Sequence, residues 1–175
     1  KNRIFQGHNV EIERDIDILW IGSNSKRRQD WLRKHRALFK EKKSFVRLVG
    51  VVGPLSSEDT SAITPDDYVS LARRTKIQLN IHHFNMPYFE WQRMIHYGLM
   101  QGNGIVTETA PVVPGLRPGI DYFEAPKDDI PSLVEWLLRS TDGNNKLKEV
   151  AVRGKTNALR FFRLERTLAE LFKIG

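Results

Sequence analysis

Two glutamates, a run of arginines and a pair of histidines are the residues of this 175-residue chain best suited to ligand chemistry. Glu90 is followed three and seven positions on by Arg93 and Tyr97, a spacing that lines side chains along one side of a helix. A carboxylate there can accept hydrogen bonds from ligand hydroxyls. It can equally be a first-turn acid stabilised by the helix dipole. Glu108 directly follows Thr107 at the end of a short apolar run, where it either faces a ligand or caps the next turn. Gly22, Ser23 and Asn24 are small or polar and precede Lys26, Arg27 and Arg28. Small residues let a ligand approach the backbone, and helix-start N–H groups together with cations hold anions. With a single glycine the segment is neither a dinucleotide fingerprint nor a P-loop, and an ordinary strand-to-helix turn has the same composition. His82 and His83 invite comparison with a metal site. No third ligand stands at a suitable spacing and the chain has no cysteine, so no metal is expected; packing or capping within the loop is the alternative.

These residues need elements to position them. Residues 16–21 read as a buried strand, and a helix over 25–40 follows, with Asn24 or Ser25 as N-cap and Trp31, Leu32, Leu38 and Phe39 as its apolar side. A second strand spans 45–52 and stops at Gly53-Pro54. A polar loop leads to a helix from Thr64 to about 75, opened by Pro65 and two acids. Residues 76–81 form an alternating strand, 82–89 a loop, and 90–101 a helix. In that helix Trp91, Met94, Ile95, Gly98 and Leu99 make a core-facing stripe, stopped by Gly102. A strand at 105–107, a Pro- and Gly-rich loop at 110–119 and a last short strand at 122–123 precede helices at 128–139, 145–162 and 164–173. Alternation of this kind predicts an α/β, Rossmann-like parallel sheet with helices on both faces and C-terminal helices. Residues 15–175 form one domain, and 1–14 a linker or N-terminal extension. Ligands of such sheets sit at the carboxyl ends of the strands, where the candidate residues fall.

Composition excludes several classes. No apolar run reaches the roughly 18 residues of a membrane span, and the start lacks the apolar core of a signal peptide. Together with the absence of cysteine this is compatible with a cytoplasmic location. The missing initiator Met suggests a piece of a longer protein. Within residues 23–43 there are nine Lys and Arg against two acids, a surplus of seven that equals the whole chain's formal charge of +7. A local basic patch attracts phosphates, nucleic acid or anionic lipid. It is equally a solvated helix face. Trp31 and Phe39 look like core rather than base-stacking groups, which disfavours nucleic acid.

The order of the motifs carries a family likeness. Strand-Gly-Ser with downstream basic residues comes first, then residues 76–82 (Lys-Ile-Gln-Leu-Asn-Ile-His) and Phe89-Glu90. Arg93 to Gly102, Ile105-Val-Thr-Glu108 and Pro118-Gly-Ile-Asp-Tyr-Phe123 follow. The series resembles the C-terminal domain of GT-B glycosyltransferases, in the "glycosyl transferases group 1"-like group related to spore-maturation proteins. There a helix of pattern R-x-x-E-A-L-A-x-G leads into a V-V-T strand, and a helix like residues 128–138 follows. The likeness implies a domain binding a nucleoside-diphosphate sugar as substrate, without a cofactor. By position, Gly22, Ser23 and Arg28 would face the diphosphate, His82, His83, Arg93 and Tyr97 would hold sugar and ribose, Glu108 would flank the sugar or ribose, and Asn24 and Thr107 would be among the donor-binding residues. Glu90 would approach sugar hydroxyls. Arg28 and Glu90 would carry the chemistry, Arg28 by stabilising the departing diphosphate. An N-terminal acceptor-binding domain would complete the enzyme. Retaining relatives often carry two glutamates separated by seven residues; counted from Glu90 the second falls on Gly98, and anchored on Gly102 it falls on Tyr97, so the paired-carboxylate pattern is absent. A non-catalytic nucleotide or sugar binding module on the same fold is the alternative reading, and a basic nucleic-acid-binding domain a further one.

Overall fold

In a computed structural model the described residues are 13–50 and 63–162. The expected end of the second strand past residue 50, its Gly53-Pro54 stop, most of the loop before Ile63, the last helix at 164–173 and most of the N-terminal extension lie outside them. The elements are β1 (Ile16–Ser23), α1 (Lys26–Lys34), α2 (Arg36–Lys40), β2 (Ser44–Val49), α3 (Pro65–Arg73), β3 (Thr75–Asn80), β4 (Gly104–Glu108), β5 (Phe123–Ala125), α4 (Ile130–Arg139) and α5 (Thr141–Phe161). All five strands are parallel, in the order β2-β1-β3-β4-β5. This is the doubly wound α/β fold that the alternation predicts.

Strand alternation sorts the core into two faces. Ile18, Trp20, Ile77, Leu79, Ile81 and Val106 point to one side and pack under α1, α2, α4 and α5. Leu19 and Ile21 point to the other and meet Tyr68 and Ala72 of α3. Ile105 joins Met94, Ile95 and Leu99 in a third apolar cluster with Tyr122 and Ala158. Arg14 stitches the bottom of the sheet: its guanidinium donates to the carbonyls of Ala72, Thr75 and Gln101.

Four details depart from the sequence reading or add to it. The first helix is two, broken at His35 (φ −106°, ψ 24°), whose N–H closes α1 on Trp31 O at 3.0 Å; no Gly or Pro marks the break. The helix expected over 90–101 is a π-helical segment, Gln92–His96, followed by a 3-10 turn, Leu99–Gln101. Its stripe residues Met94, Ile95 and Leu99 are fully buried, whereas Trp91 is 47% exposed. The wider π turn rotates Trp91 off the stripe, onto the edges of Phe89 and Phe162. The polar members of alternating β3, Gln78 and Asn80, are both 1% exposed. The π segment covers them, and they hold it in return: Gln78 Nε2 donates to Arg93 O at 2.8 Å. Finally, α5 begins at Thr141 rather than 145, because Ser140 caps it through Gly143 N at 2.8 Å. Gly143 passes so near α4 that a Cβ would lie 2.1 Å from Trp136 O, so this glycine marks close helix packing.

Candidate functional site

The strand order reverses direction between β1 and β3, the switch point at which doubly wound sheets bind ligands. A crevice of about 540 Å³ opens beside it, at the carboxyl ends of β1 and β2, within the ordinary size range of ligand pockets. Gly22 and Ser23 end β1 at its floor, Arg28 enters from α1, Tyr68 from α3, and Glu90, Arg93 and Tyr97 from the segment after β3.

Ser25 is the N-cap of α1, its hydroxyl accepting from Arg28 N at 3.3 Å. This cap starts the helix so that Arg28 turns inward, where it is 1% exposed. Its Nε donates to Ile81 O at 2.8 Å, and its Nη1 to Ser23 O at 3.1 Å and Ser23 Oγ at 2.9 Å. Its Nη2 donates to Glu90 Oε1 at 2.7 Å, and the guanidinium stacks over Trp20. Burial, with the neighbouring Arg93 cation, holds Arg28 below the usual arginine range. Arg93 reaches Glu90 Oε2 at 2.8 Å and Asn80 Oδ1 at 3.0 Å through Nη1. Its Nη2 lies 3.2 Å from where a Cβ on Gly22 would stand, and Arg28 Nη1 lies 3.1 Å from the same point. A Cβ on Gly22 would press on both guanidinium groups and on Trp20 Cζ2, 3.2 Å away, so the floor is tight at this point. Tyr88, which sequence reasoning missed, donates its hydroxyl to Glu90 Oε1 at 2.5 Å and receives His83 N–H at 3.0 Å. Ser23 Oγ and His83 Nδ1 share a hydrogen at 2.8 Å, closing a ring of hydrogen bonds through Ser23, Arg28, Glu90, Tyr88 and His83.

A second buried ion pair sits beside this one. Arg27 grips Glu108 with both terminal nitrogens, at 2.7 and 2.5 Å, and donates to His82 O at 2.9 Å. His82 N–H closes on Glu108 Oε1 at 2.7 Å. The hydrogen bond to Glu108 raises the Arg27 guanidinium above its usual value. Three cations thus face two carboxylates, and one positive charge is in surplus. Fixed donors around a net cationic floor are suited to an anionic ligand.

Of the sequence candidates, Gly22, Ser23, Arg28, Glu90, Arg93 and Tyr97 line the crevice. Asn24 stands outside it, exposed and bonded to Gln29. Thr107 is fully buried and links Asn80 to the end of β4. Glu108 is occupied by Arg27 and the His82 amide. The two histidine rings part company: His82 packs under Tyr88 and His83 against Phe84. Among the described residues no group of His, Asp and Glu could hold a metal ion, and no helix is long and apolar enough to cross a membrane. The basic patch is largely consumed. Six of its nine cations are in ion pairs, Arg27 and Arg28 among them, which leaves Arg36, Lys40 and Lys43 outside.

His82 is 2% exposed, and burial depresses its pKa below the ordinary 6.5. The unfolded chain therefore takes up a proton first as pH falls. The stability tied to neutral His82 is full above 6.5 and is lost progressively below it. His35 and His96 shift the same way through burial. Replacing His82 with Gln is expected to flatten, but not abolish, the acid limb of a urea-unfolding series between about pH 5 and 8. An unchanged slope would show that His82 gains its proton without cost.

With this geometry in place, comparison with solved structures is decisive for the fold. The C-terminal domain of a glycosyl transferase group 1 family protein, LpcC from Francisella tularensis, superposes with a TM-score of 0.56 at 10% identity, over 87% of this chain and 89% of that one. The fold is that of a glycosyltransferase C-terminal domain. HepE from Anabaena, in complex with UDP and glucose, gives a TM-score of 0.60 at 14% identity, over 89% of this chain and 48% of that one. Sucrose-phosphate synthase from Thermosynechococcus elongatus gives 0.56 at 12%, over 92% and 46%. The chain thus spans under half the length of these two glycosyltransferase-fold proteins, and nine-tenths of the isolated domain. No family model and no curated protein matches the sequence.

Proposed function

We propose that this chain is the donor-binding domain of a GT-B glycosyltransferase and that its crevice takes a nucleoside-diphosphate sugar. The observation that carries the reading is the pair of guanidinium groups, Arg28 and Arg93, converging on Gly22 at the β1 switch point with one positive charge in surplus. A diphosphate fits such a floor, and fixed cations stabilise it as it departs. HepE, a fold neighbour, is seen with UDP and glucose.

The two arginines divide the work. Arg28 has four hydrogen bonds to protein and is 1% exposed, so it fixes the electrostatic floor. Arg93, with 14% of its side chain exposed, is the guanidinium that meets the phosphates. Acceptor binding, and the catalytic base if the reaction needs one, belong to a second domain. Calorimetric titration with UDP-, GDP- and dTDP-sugars, on a protein carrying both domains, tests the reading. At least one nucleotide sugar binds, and Arg93→Lys, which keeps the charge but loses the bidentate fork, weakens it by about tenfold. Binding of none of them would sink the proposal.

One observation favours a second reading, a binding module that does not transfer sugar. Neither Tyr97 nor Gly98, the two positions where the resemblance would put a second glutamate, is a carboxylate, and Tyr97 stacks on Tyr68 with ring centroids 4.2 Å apart and planes 17° from parallel. That reading expects binding without donor turnover on long incubation.

A further inference from the structure

The crevice holds one carboxylate among its cations, and its position has a consequence for which ligand is kept. Both oxygens of Glu90 are engaged, Oε1 by Arg28 and Tyr88 and Oε2 by Arg93. They hold guanidinium donors that a diphosphate entering the same floor would also seek. Yet Glu90 keeps 12% of its side chain exposed, and Oε2, which has a single donor, retains a lone pair that a ligand hydroxyl can meet.

We infer that Glu90 makes this site discriminate between an intact nucleoside-diphosphate sugar and the free nucleoside diphosphate left after transfer. The inference rests on the donor-site reading above and adds the preference within it. The terminal phosphate of the free diphosphate is a monoester whose second ionisation lies near about pH 6, so at neutral pH it bears one more negative charge than its sugar ester. A fixed carboxylate a few ångströms away repels that extra charge. The sugar ester lacks it and brings hydroxyl donors that a carboxylate accepts. Both effects act in one direction: Glu90 favours the donor and expels the spent diphosphate. Without Glu90 the floor would be a stronger but undiscriminating anion site, with two arginines competing for whichever diphosphate is present.

The test compares matched ligands by calorimetry on wild-type protein and Glu90→Gln: UDP, β-methyl-UDP and UDP-glucose, with the GDP and dTDP sets in parallel. β-Methyl-UDP has the charge of the sugar nucleotide without its hydroxyls. Wild-type protein is expected to bind the glucose ester most tightly, the methyl ester next and the free diphosphate least. E90Q tightens the free diphosphate by about tenfold, the size of one screened charge contact, and weakens the glucose ester, so the preference collapses. An unchanged ratio in E90Q overturns the inference while leaving the donor reading standing. Where loss of the buried charge prevents E90Q from folding, the wild-type series decides alone: free diphosphate bound as tightly as its methyl ester overturns it. If no nucleotide of any set binds wild-type protein, the donor reading falls and this inference falls with it.

Discussion

Arg28→Met lowers the stability of the domain by about 3–5 kcal/mol, the range seen when one partner of a buried ion pair is removed. Methionine retains most of the stem's volume, so the loss isolates the guanidinium. Ile81 O and Ser23 O lose their side-chain donor, and Glu90 retains only Arg93 and Tyr88. In a domain of this size the midpoint of thermal unfolding falls on the order of 10 °C. Arg33→Met is the control. Arg33 pairs with Asp30 at the surface with 71% of its side chain exposed, and its removal changes stability by less than about 0.5 kcal/mol. Equal effects from the two variants, measured by urea unfolding, would mean that the burial of Arg28 adds nothing.

Gly98→Ala costs about 1–3 kcal/mol by overpacking. A Cβ there would lie 2.2 Å from Ile105 Cδ1 and 2.6 Å from Met94 O. The methyl of Ile105 can swing aside, but the Met94 carbonyl belongs to the π segment and cannot move alone. Relief pushes that segment outward and carries Arg93 away from Glu90 and Asn80. Nucleotide affinity is expected to fall together with stability, which separates Gly98 from a purely structural glycine. Gly50→Ala is the matched comparison, since among the described residues nothing lies within 4 Å of its would-be Cβ. A Gly98→Ala variant as stable as wild type, or destabilised with unchanged affinity, would break the link between this crossing point and the site.

What could be read in advance was whatever local pattern encodes. The apolar runs of β1 and β3 and the punctuation at Thr64 and Gly102 placed the strands, and the strands placed the edge at which the crevice opens. That edge reached Gly22, Arg28, Glu90, Arg93 and Tyr97 without any coordinates. The pairings along it were not legible. Arg27 meets Glu108 across 81 positions of sequence, and which of three successive cations turns inward depends on the cap at Ser25 and the register of β1 against β3. The burial of Asn80 and Gln78 was hidden for a related reason. Alternation marks a polar face without saying whether solvent or another polar segment covers it, and the π segment does so here. Tyr88 gave no signal because its role depends on the turn of residues 82–90, which no periodicity describes. The resemblance to GT-B domains anticipated the fold but had no means of showing that Glu108 was already occupied.

The hydrogen-bonded ring through Ser23, Arg28, Glu90, Tyr88 and His83 gives the site a built-in reporter. One member of the ring is a backbone amide, His83 N–H, bonded to Tyr88 Oη at 3.0 Å. Every other link is made by side chains. Any ligand that draws Glu90 or Arg28 toward itself loosens Tyr88, and with it the bond on that amide. The nitrogen and proton shifts of His83 are thus expected to register events at the crevice floor through a chain of contacts, with no label attached to the crevice. A single backbone resonance can distinguish a ligand that disturbs the arginines from one that lies over them without touching the ring.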